Sequence, residues 1–186
     1  NVSVVEMLPR PLQIAFDEEF CSEAQGLLES RGVNVITEAR VAEFSGNGKV
    51  AGVKLADGTQ LKADAVIQSV GVRPNVELPQ KCELERGATG AVKVDRAMRT
   101  SDPNVFACGD CAEKVSFFTG SPSPLRLASI ATTEARVAGA NLFHVRRAYP
   151  GAVGVYSTVI GETAFATAGL TEEAARDPDI VAVTAA

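Results

Sequence analysis

The sequence contains no tryptophan and only one histidine, His144, in 186 residues. It has no run of about 18 apolar residues, the length that a transmembrane helix needs, and no signal-peptide pattern at its start. An excess of positive charge is also missing, because the formal net charge is -5. A negative net charge argues against nucleic acid as a main partner. These absences favour a cytoplasmic protein with neither a membrane nor a nucleic acid as its partner.

Metal-ligating residues are scarce. The four cysteines are Cys21, Cys82, Cys108 and Cys111, and without any sign of secretion they are expected to stay reduced. Cys108 and Cys111 have the spacing C-x-x-C, but the sequence offers neither a second such pair nor a histidine pair to complete a zinc site. We therefore predict no metal site. A redox role for the C-x-x-C pair is the less favoured alternative to a structural one.

A strand–helix–strand unit is predicted at the start of the chain. Residues 2–5 and 33–36 are short apolar strands, and residues 17–31 have a helical pattern between them. The apolar face of this helix is predicted to consist of Phe20, Cys21, Ala24, Leu27 and Leu28. Glu6 ends the first strand, where a carboxylate can bind the ribose hydroxyls of a dinucleotide. Without further information, a solvated glutamate is the simpler interpretation.

The pattern changes after residue 40. Gly46-Asn47-Gly48 and Asp57-Gly58 are hairpin signals, and they predict a three-stranded meander followed by a buried strand at 65–67. Residues 46–51 match G-x-G-x-x-A by letter. Because this segment lies between hairpin strands and opens no helix, we do not interpret it as a phosphate loop.

The apolar run at 105–108 predicts a short buried strand that stops at Gly109-Asp110. Glycine permits a sharp turn or a close approach to a ligand. The carboxylate of Asp110 would then lie at the carboxyl end of a strand, where it could accept hydrogen bonds from the hydroxyls of a sugar or polyol. On spacing alone, an ordinary Gly-Asp turn is the favoured interpretation, because glycine and aspartate are common turn residues.

The remaining elements are read from their periodicity and turn residues. A further strand is predicted at 92–94, an alanine-rich helix at 127–143, and strands at 156–160 and 163–168 around Gly161. A second helix is predicted to open near residue 170 with Thr171 as its cap. A new unit is predicted to start at Tyr149.

Residues 100–113, Thr-Ser-Asp-Pro-Asn-Val-Phe-Ala-Cys-Gly-Asp-Cys-Ala-Glu, resemble the second FAD-binding motif of the pyridine nucleotide–disulfide oxidoreductase family. The resemblance is strongest to the branch of coenzyme A-disulfide reductases, NADH oxidases and NADH peroxidases. It implies that Gly109 and Asp110 bind the ribityl chain of FAD. It also implies that the helix start faces the pyrimidine carbonyl of the flavin, near Leu127, Ala128 and Ser129.

The same resemblance implies that Glu6 and Gly71 bind NADH. A carboxylate at position 6 would repel the extra phosphate of NADPH. Arg10 lies nearby in the sequence and could accommodate that phosphate, so NADPH stays open as an alternative cofactor.

The resemblance implies an α/β fold, namely the carboxy-terminal part of a flavoprotein with two dinucleotide-binding domains. Residues 1–70 would be the second part of the NAD-binding domain, a partial Rossmann-like half with a β-meander. Residues 71–148 would be the second part of the FAD-binding domain. Residues 149–186 would start an α+β dimerisation domain. The apolar end at 180–183 is expected to associate with a partner or to be locally disordered.

The implied activity is hydride transfer from NADH through FAD to a disulfide, a peroxide, oxygen or a polysulfide, in a cytoplasmic homodimer with a small-molecule substrate. The chain has no initiator methionine, and we expect a fragment that lacks its amino-terminal part. The redox cysteine is expected in that part, so no residue present is predicted to be catalytic. The fragment alone is expected to be inactive and to bind FAD poorly. Two alternatives remain open: a non-catalytic nucleotide-binding or assembly fragment, and a reductase of a small electron-carrier protein such as a rubredoxin.

Overall fold

The computed structural model describes residues 1–176 and divides the chain into two compact units. Within the described residues, unit 1 consists of 1–69 and 155–176, and unit 2 is Val70–Gly154. In chain order, the elements are β1 (Val2–Val5), α1 (Glu18–Ser30), β2 (Val33–Ile36), β3 (Val41–Gly46), β4 (Val50–Leu55), β5 (Gln60–Lys62), α2 (Glu77–Lys81), β6 (Lys114–Val115), β7 (Pro122–Ser123), α3 (Ala128–Asn141), β8 (Val155–Ile160) and β9 (Thr163–Ala168). The predicted apolar end at 180–183 lies outside the described residues. The three-domain division stays a prediction about the whole protein.

The strand–helix–strand prediction is confirmed in unit 1. β1 and β2 are parallel and in register, from Val2 opposite Val33 to Val5 opposite Ile36, and α1 connects them. Helix α1 begins with two acidic residues in its first turn, where the helix dipole favours negative charge. The predicted apolar face was too wide, because Cys21 and Ala24 are buried while Phe20 is exposed. Phe20 lies about 100° around the helix from Cys21.

The predicted meander is also confirmed. Strands β3, β4 and β5 form an antiparallel sheet in that order. Gly58 has a left-handed φ of +93° in the turn between β4 and β5, a conformation that glycine adopts at low cost. The buried strand predicted at 65–67 is wrong, since these residues pair with no strand among the described residues and Ile67 is 93% exposed. An apolar run forms a strand only where a neighbouring strand satisfies its backbone groups.

The last described segment of unit 1 is a β8–β9 hairpin around Gly161, paired from Val155 opposite Ala168 to Ile160 opposite Thr163. This hairpin packs on the start of α1. Phe165 meets Phe16 with ring centroids 6.3 Å apart and ring planes at 85°, and both rings belong to a buried cluster with Cys21 and Ala24.

The helix predicted near residue 170 is instead a single turn. Its backbone closes through the bond from the Ala175 N–H to the Thr171 carbonyl, 2.9 Å, and the Thr171 hydroxyl accepts from the Ala174 N–H. Thr171 therefore caps as predicted, but the turn does not continue within the described residues. Its amino end is held to α1 by the Glu172 N–H, which donates to Asp17 Oδ1 at 2.7 Å.

Unit 2 is organised around α3, whose predicted range is confirmed to within two residues at either end. The buried apolar side chains around it are Met98, Ile130, Val137, Ala138, Tyr149 and Ala152. Tyr149 and Ala152 thus pack in this core. The strands predicted at 92–94 and 105–108 are wrong: Val92 and Phe106 form only isolated bridges, because each neighbouring segment pairs with them at a single residue.

Candidate functional site

The Gly109-Asp110 pair opens a short 3-10 turn, Gly109–Cys111. Gly109 has φ +77°, the left-handed region that favours glycine. A β-carbon built at this position would lie 3.6 Å from the Ala131 β-carbon on α3, so the turn passes close to the first turns of that helix. Asp110 follows directly, and its side chain is exposed. The turn therefore presents a carboxylate to solvent beside α3.

Two buried charges hold this turn, and the sequence analysis predicted neither of them. Glu134 Oε2 on α3 accepts a hydrogen bond from the Gly109 N–H at 2.8 Å. Lys114 Nζ donates to the carbonyl of Gly109, to the carbonyl of Ala112 at 3.1 Å and to Glu134 Oε2 at 2.9 Å. The side chains of Lys114 and Glu134 are 1% and 0% exposed. Residues separated by 20 positions thus form a buried ion pair directly beneath the turn.

Among the described residues, one buried oxygen of this ion pair, Glu134 Oε1, has no hydrogen-bond partner. Burial raises the pKa of Tyr149 to about 12, and the nearby negative charge of Glu134 contributes to that rise. Glu134 does not stand out in the sequence of α3, because Thr132, Thr133 and Arg136 beside it are also polar. Its partner could not be identified from spacing.

The start of α3 is the second part of the site. Leu127 is the N-cap residue with extended backbone, and it makes no side-chain cap hydrogen bond. The next two residues, Ala128 and Ser129, are exposed. The first N–H groups of a helix have no intrahelical acceptor, and the helix dipole places partial positive charge there. This end of α3 can therefore receive a partial negative charge from a ligand.

Cys108 lies directly before Gly109, and its thiol is not activated. All four cysteines of the chain are free. Burial raises the pKa of the Cys108 thiol, and the neighbouring Cys111 and Glu134 raise it further while Lys114 opposes them. A raised thiol pKa lowers the fraction of reactive thiolate at neutral pH.

Glu6 lies in unit 1, immediately after β1. Its backbone N–H donates to the Ile36 carbonyl at 2.9 Å, which extends the pairing with β2 by one residue. Its Oε1 accepts from the Leu8 N–H at 2.9 Å. The side chain is half-buried at the carboxyl end of two parallel strands, the edge where ligands bind in open α/β sheets.

Arg10 is engaged within unit 1. Its guanidinium contacts Glu18 Oε1 on the first turn of α1 at 2.5 Å. This contact occupies the positive group that the sequence analysis considered for a 2′-phosphate. Gly71 belongs to unit 2, in an exposed segment without regular secondary structure, and has φ +89°. The five residues predicted to bind FAD thus share one unit, whereas the two predicted to bind NADH lie in different units.

Within residues 1–176, no group of three or more histidine, cysteine, aspartate or glutamate side chains is arranged to hold a metal ion. Of the helices in this described part, none is long and apolar enough to cross a membrane.

Comparison with protein families gives a match over residues 1–135 to the model of the pyridine nucleotide-disulphide oxidoreductases. An NADH oxidase of Methanocaldococcus jannaschii is 33% identical over 171 residues, which cover 92% of this chain and 38% of that protein. The chain therefore spans about two fifths of the length of this curated relative.

Two solved structures are similar over nearly the whole chain. A NAD-dependent persulfide reductase from A. fulgidus has a TM-score of 0.88 and 33% identity, with 94% of this chain and 32% of that chain covered. A FAD-dependent pyridine nucleotide-disulphide oxidoreductase from Desulfovibrio vulgaris has a TM-score of 0.86 and 38% identity, with 93% and 44% covered.

Proposed function

The chain belongs to the pyridine nucleotide-disulphide oxidoreductase family, and from that premise we propose that it is part of an FAD-dependent NAD(P)H oxidoreductase. Bound FAD would accept a hydride from the nicotinamide and pass electrons to a small acceptor such as a disulfide, persulfide, peroxide or oxygen. The observation that carries the proposal is the exposed Asp110 carboxylate next to the uncapped amino end of α3. The proposal extends to a homodimer as the active form of the whole protein.

The residues present fit one side of a flavin site. Asp110 would accept hydrogen bonds from hydroxyls of the polyol chain. The exposed N–H groups at Ala128 and Ser129 would face an electron-rich carbonyl of the ring system. Partial positive charge at that position stabilises negative charge that develops there on reduction. Gly109 would provide close approach, because it carries no side chain toward the ligand.

We further propose NADH as the preferred electron donor. Glu6 directly follows β1 with its carboxylate at the ligand-binding edge, where it would accept hydrogen bonds from ribose hydroxyls and repel a 2′-phosphate. The contact between Arg10 and Glu18 supports this preference. The variant Glu6→Ser should lower the ratio of kcat/KM for NADH to that for NADPH by about tenfold or more, as expected for loss of one charged hydrogen bond. An unchanged ratio would remove Glu6 from the specificity site.

The direct test uses the natural protein in which this chain occurs. We expect a flavin absorption spectrum that NADH bleaches under anaerobic conditions. Asp110→Asn should raise the dissociation constant of FAD by about 10- to 100-fold, because a charge-assisted hydrogen bond contributes about 1.5–3 kcal/mol. The matched control is Asp57→Asn, an exposed aspartate of unit 1 whose side chain accepts a hydrogen bond from the Thr59 N–H within its own turn. A colourless protein that does not respond to NADH would favour the non-catalytic alternative.

A further inference from the structure

The buried ion pair of Glu134 and Lys114 contacts both the N–H and the carbonyl of Gly109. We propose that Glu134 and Lys114 are positioning residues that fix the Gly109 peptide groups and thereby aim the Asp110 carboxylate at the hydroxyl groups of a flavin polyol chain. The inference rests on the proposed FAD site and assigns that site two residues that do not touch the ligand.

The two buried charges bind the backbone groups on both sides of the Gly109 α-carbon, its N–H and its carbonyl. The Glu134 carboxylate accepts from the Gly109 N–H at 2.8 Å, and the Lys114 ammonium donates to the Gly109 carbonyl. The two charges also contact each other at 2.9 Å. Because Glu134 lies on α3 and Lys114 on β6, the turn is tied to two separate elements.

Gly109 needs such a restraint more than another residue would. Glycine adopts left-handed and right-handed φ about equally readily, so its φ of +77° is not enforced by its own side chain. Asp110 is exposed, and the direction of its side chain follows from the peptide plane that precedes it. That plane contains the Gly109 carbonyl, the group that Lys114 holds.

A purely structural interpretation accounts poorly for the charges. Removing two ions from water is costly, and an apolar pair of similar volume often stabilises a fold as well or better. Buried ion pairs are best supported where they fix one arrangement among several. Here the arrangement that is fixed is a flexible glycine one residue before the proposed ligand-binding carboxylate.

The experiment uses the natural protein that contains this chain, with and without FAD. The test variant is Glu134→Gln with Lys114→Met, which removes both charges at nearly constant volume. The control variant is Glu77→Gln with Lys81→Met, at an ion pair whose side chains are 76% and 70% exposed. Each is combined with Asp110→Asn. The readouts are the dissociation constant of FAD, the melting temperature of the FAD-free form, and hydrogen exchange of the Gly109 and Asp110 amides.

We expect the test variant to raise the FAD dissociation constant about tenfold, a loss typical of one charged hydrogen bond, and to speed amide exchange at Gly109 and Asp110. Adding Asp110→Asn should then weaken FAD binding by much less than it does in the wild type. The reason is that both changes disrupt the same contact between the Asp110 carboxylate and FAD. The Glu77 and Lys81 control should match the wild type. Lys114→Gln keeps a donor for the carbonyls and serves as a second variant, with a smaller weakening of FAD binding expected.

Other results would overturn the inference, each in a distinct way. If both variants change only the melting temperature, or if Asp110→Asn adds its full effect to theirs, the pair is structural and the proposed function stands. If only Lys114→Gln folds and it binds FAD like the wild type, the inference also fails. If the wild-type protein binds no FAD, the proposed function falls and the inference falls with it.

Discussion

The variant Phe165→Ala tests whether packing of the β8–β9 hairpin on α1 stabilises unit 1. Its ring is 5% exposed and meets Phe16 edge to face, in a cluster that also contains Cys21 and Ala24. Phe165→Ala removes the ring and leaves a cavity, and such changes cost about 3–5 kcal/mol. The edge-to-face contact, about 0.5–1.5 kcal/mol, is included in that range and is not added to it. Since domains are stable by about 5–15 kcal/mol, we expect a large loss.

The assay needs a probe other than tryptophan, which the chain lacks. Tyr156 packs against the Phe165 cluster, so tyrosine fluorescence and far-UV circular dichroism in urea can follow unfolding of this unit. Hydrogen exchange then localises the effect, and protection should fall in both β8 and α1. The control is Val159→Ala on the same hairpin, where the side chain is 65% exposed and the expected change is within about 0.5 kcal/mol.

Equal costs for Phe165→Ala and Val159→Ala would refute the packing argument. They would mean that the hairpin separates from α1 in solution and contributes little to unit 1. A loss of protection confined to β8 and β9 would lead to the same conclusion, because a ring that stabilises α1 must also destabilise it on removal.

Three further predictions concern polar groups. Burial raises the pKa of Asp95, but hydrogen bonds from Arg99 and Ala97 outweigh burial and leave the pKa below its ordinary value. Its stabilisation is therefore present above the unfolded-state pKa of about 3.9 and is lost as pH falls through the lower folded pKa, so melting temperatures from about pH 5 to 2 should fall less in Asp95→Asn than in the wild type. Buried Asn141 makes four hydrogen bonds to backbone groups, and Asn141→Leu should cost at least about 2 kcal/mol in urea unfolding; a smaller loss would mean that water replaces those bonds. Asp17→Ala removes the acceptor for the Glu172 N–H and should cost about 1 kcal/mol in urea unfolding, the usual net contribution of a hydrogen bond. Asp17→Asn keeps an acceptor oxygen and should cost less, and equal losses would contradict this role.

Elements with a complete local signal could be predicted from the sequence. The helix α3 has a long helical pattern, and the meander has two glycine-containing turns between alternating strands. β1 and β2 flank a helix of ordinary length, which is the pattern of a parallel pair. In each case the information lies within a few residues of the element itself, and the structure has the predicted type at the predicted place.

The strands predicted at 65–67, 92–94 and 105–108 failed for a common reason. Each is a short apolar run, and an apolar run specifies neither its partner nor the length of its pairing. Val92 and Phe106 pair through single bridges, while 65–67 pairs with no strand in the described part of the chain. Whether an apolar segment forms a strand depends on the segment beside it in the fold, and its own sequence does not identify that segment.

The same difference between local and long-range information applies to the residues of the candidate site. Gly109 and Asp110 were predicted as site residues through the resemblance of residues 100–113 to a family motif, because their spacing alone also fits an ordinary turn. Glu134 and Lys114 were missed because their meaning arises only when α3 brings residue 134 beneath residue 109. A glutamate in a helix and a lysine in a short strand are ordinary surface residues until burial removes their water. Once both are buried, each must find a partner, and the partners they have are each other, the peptide groups of Gly109 and, for Lys114, the Ala112 carbonyl.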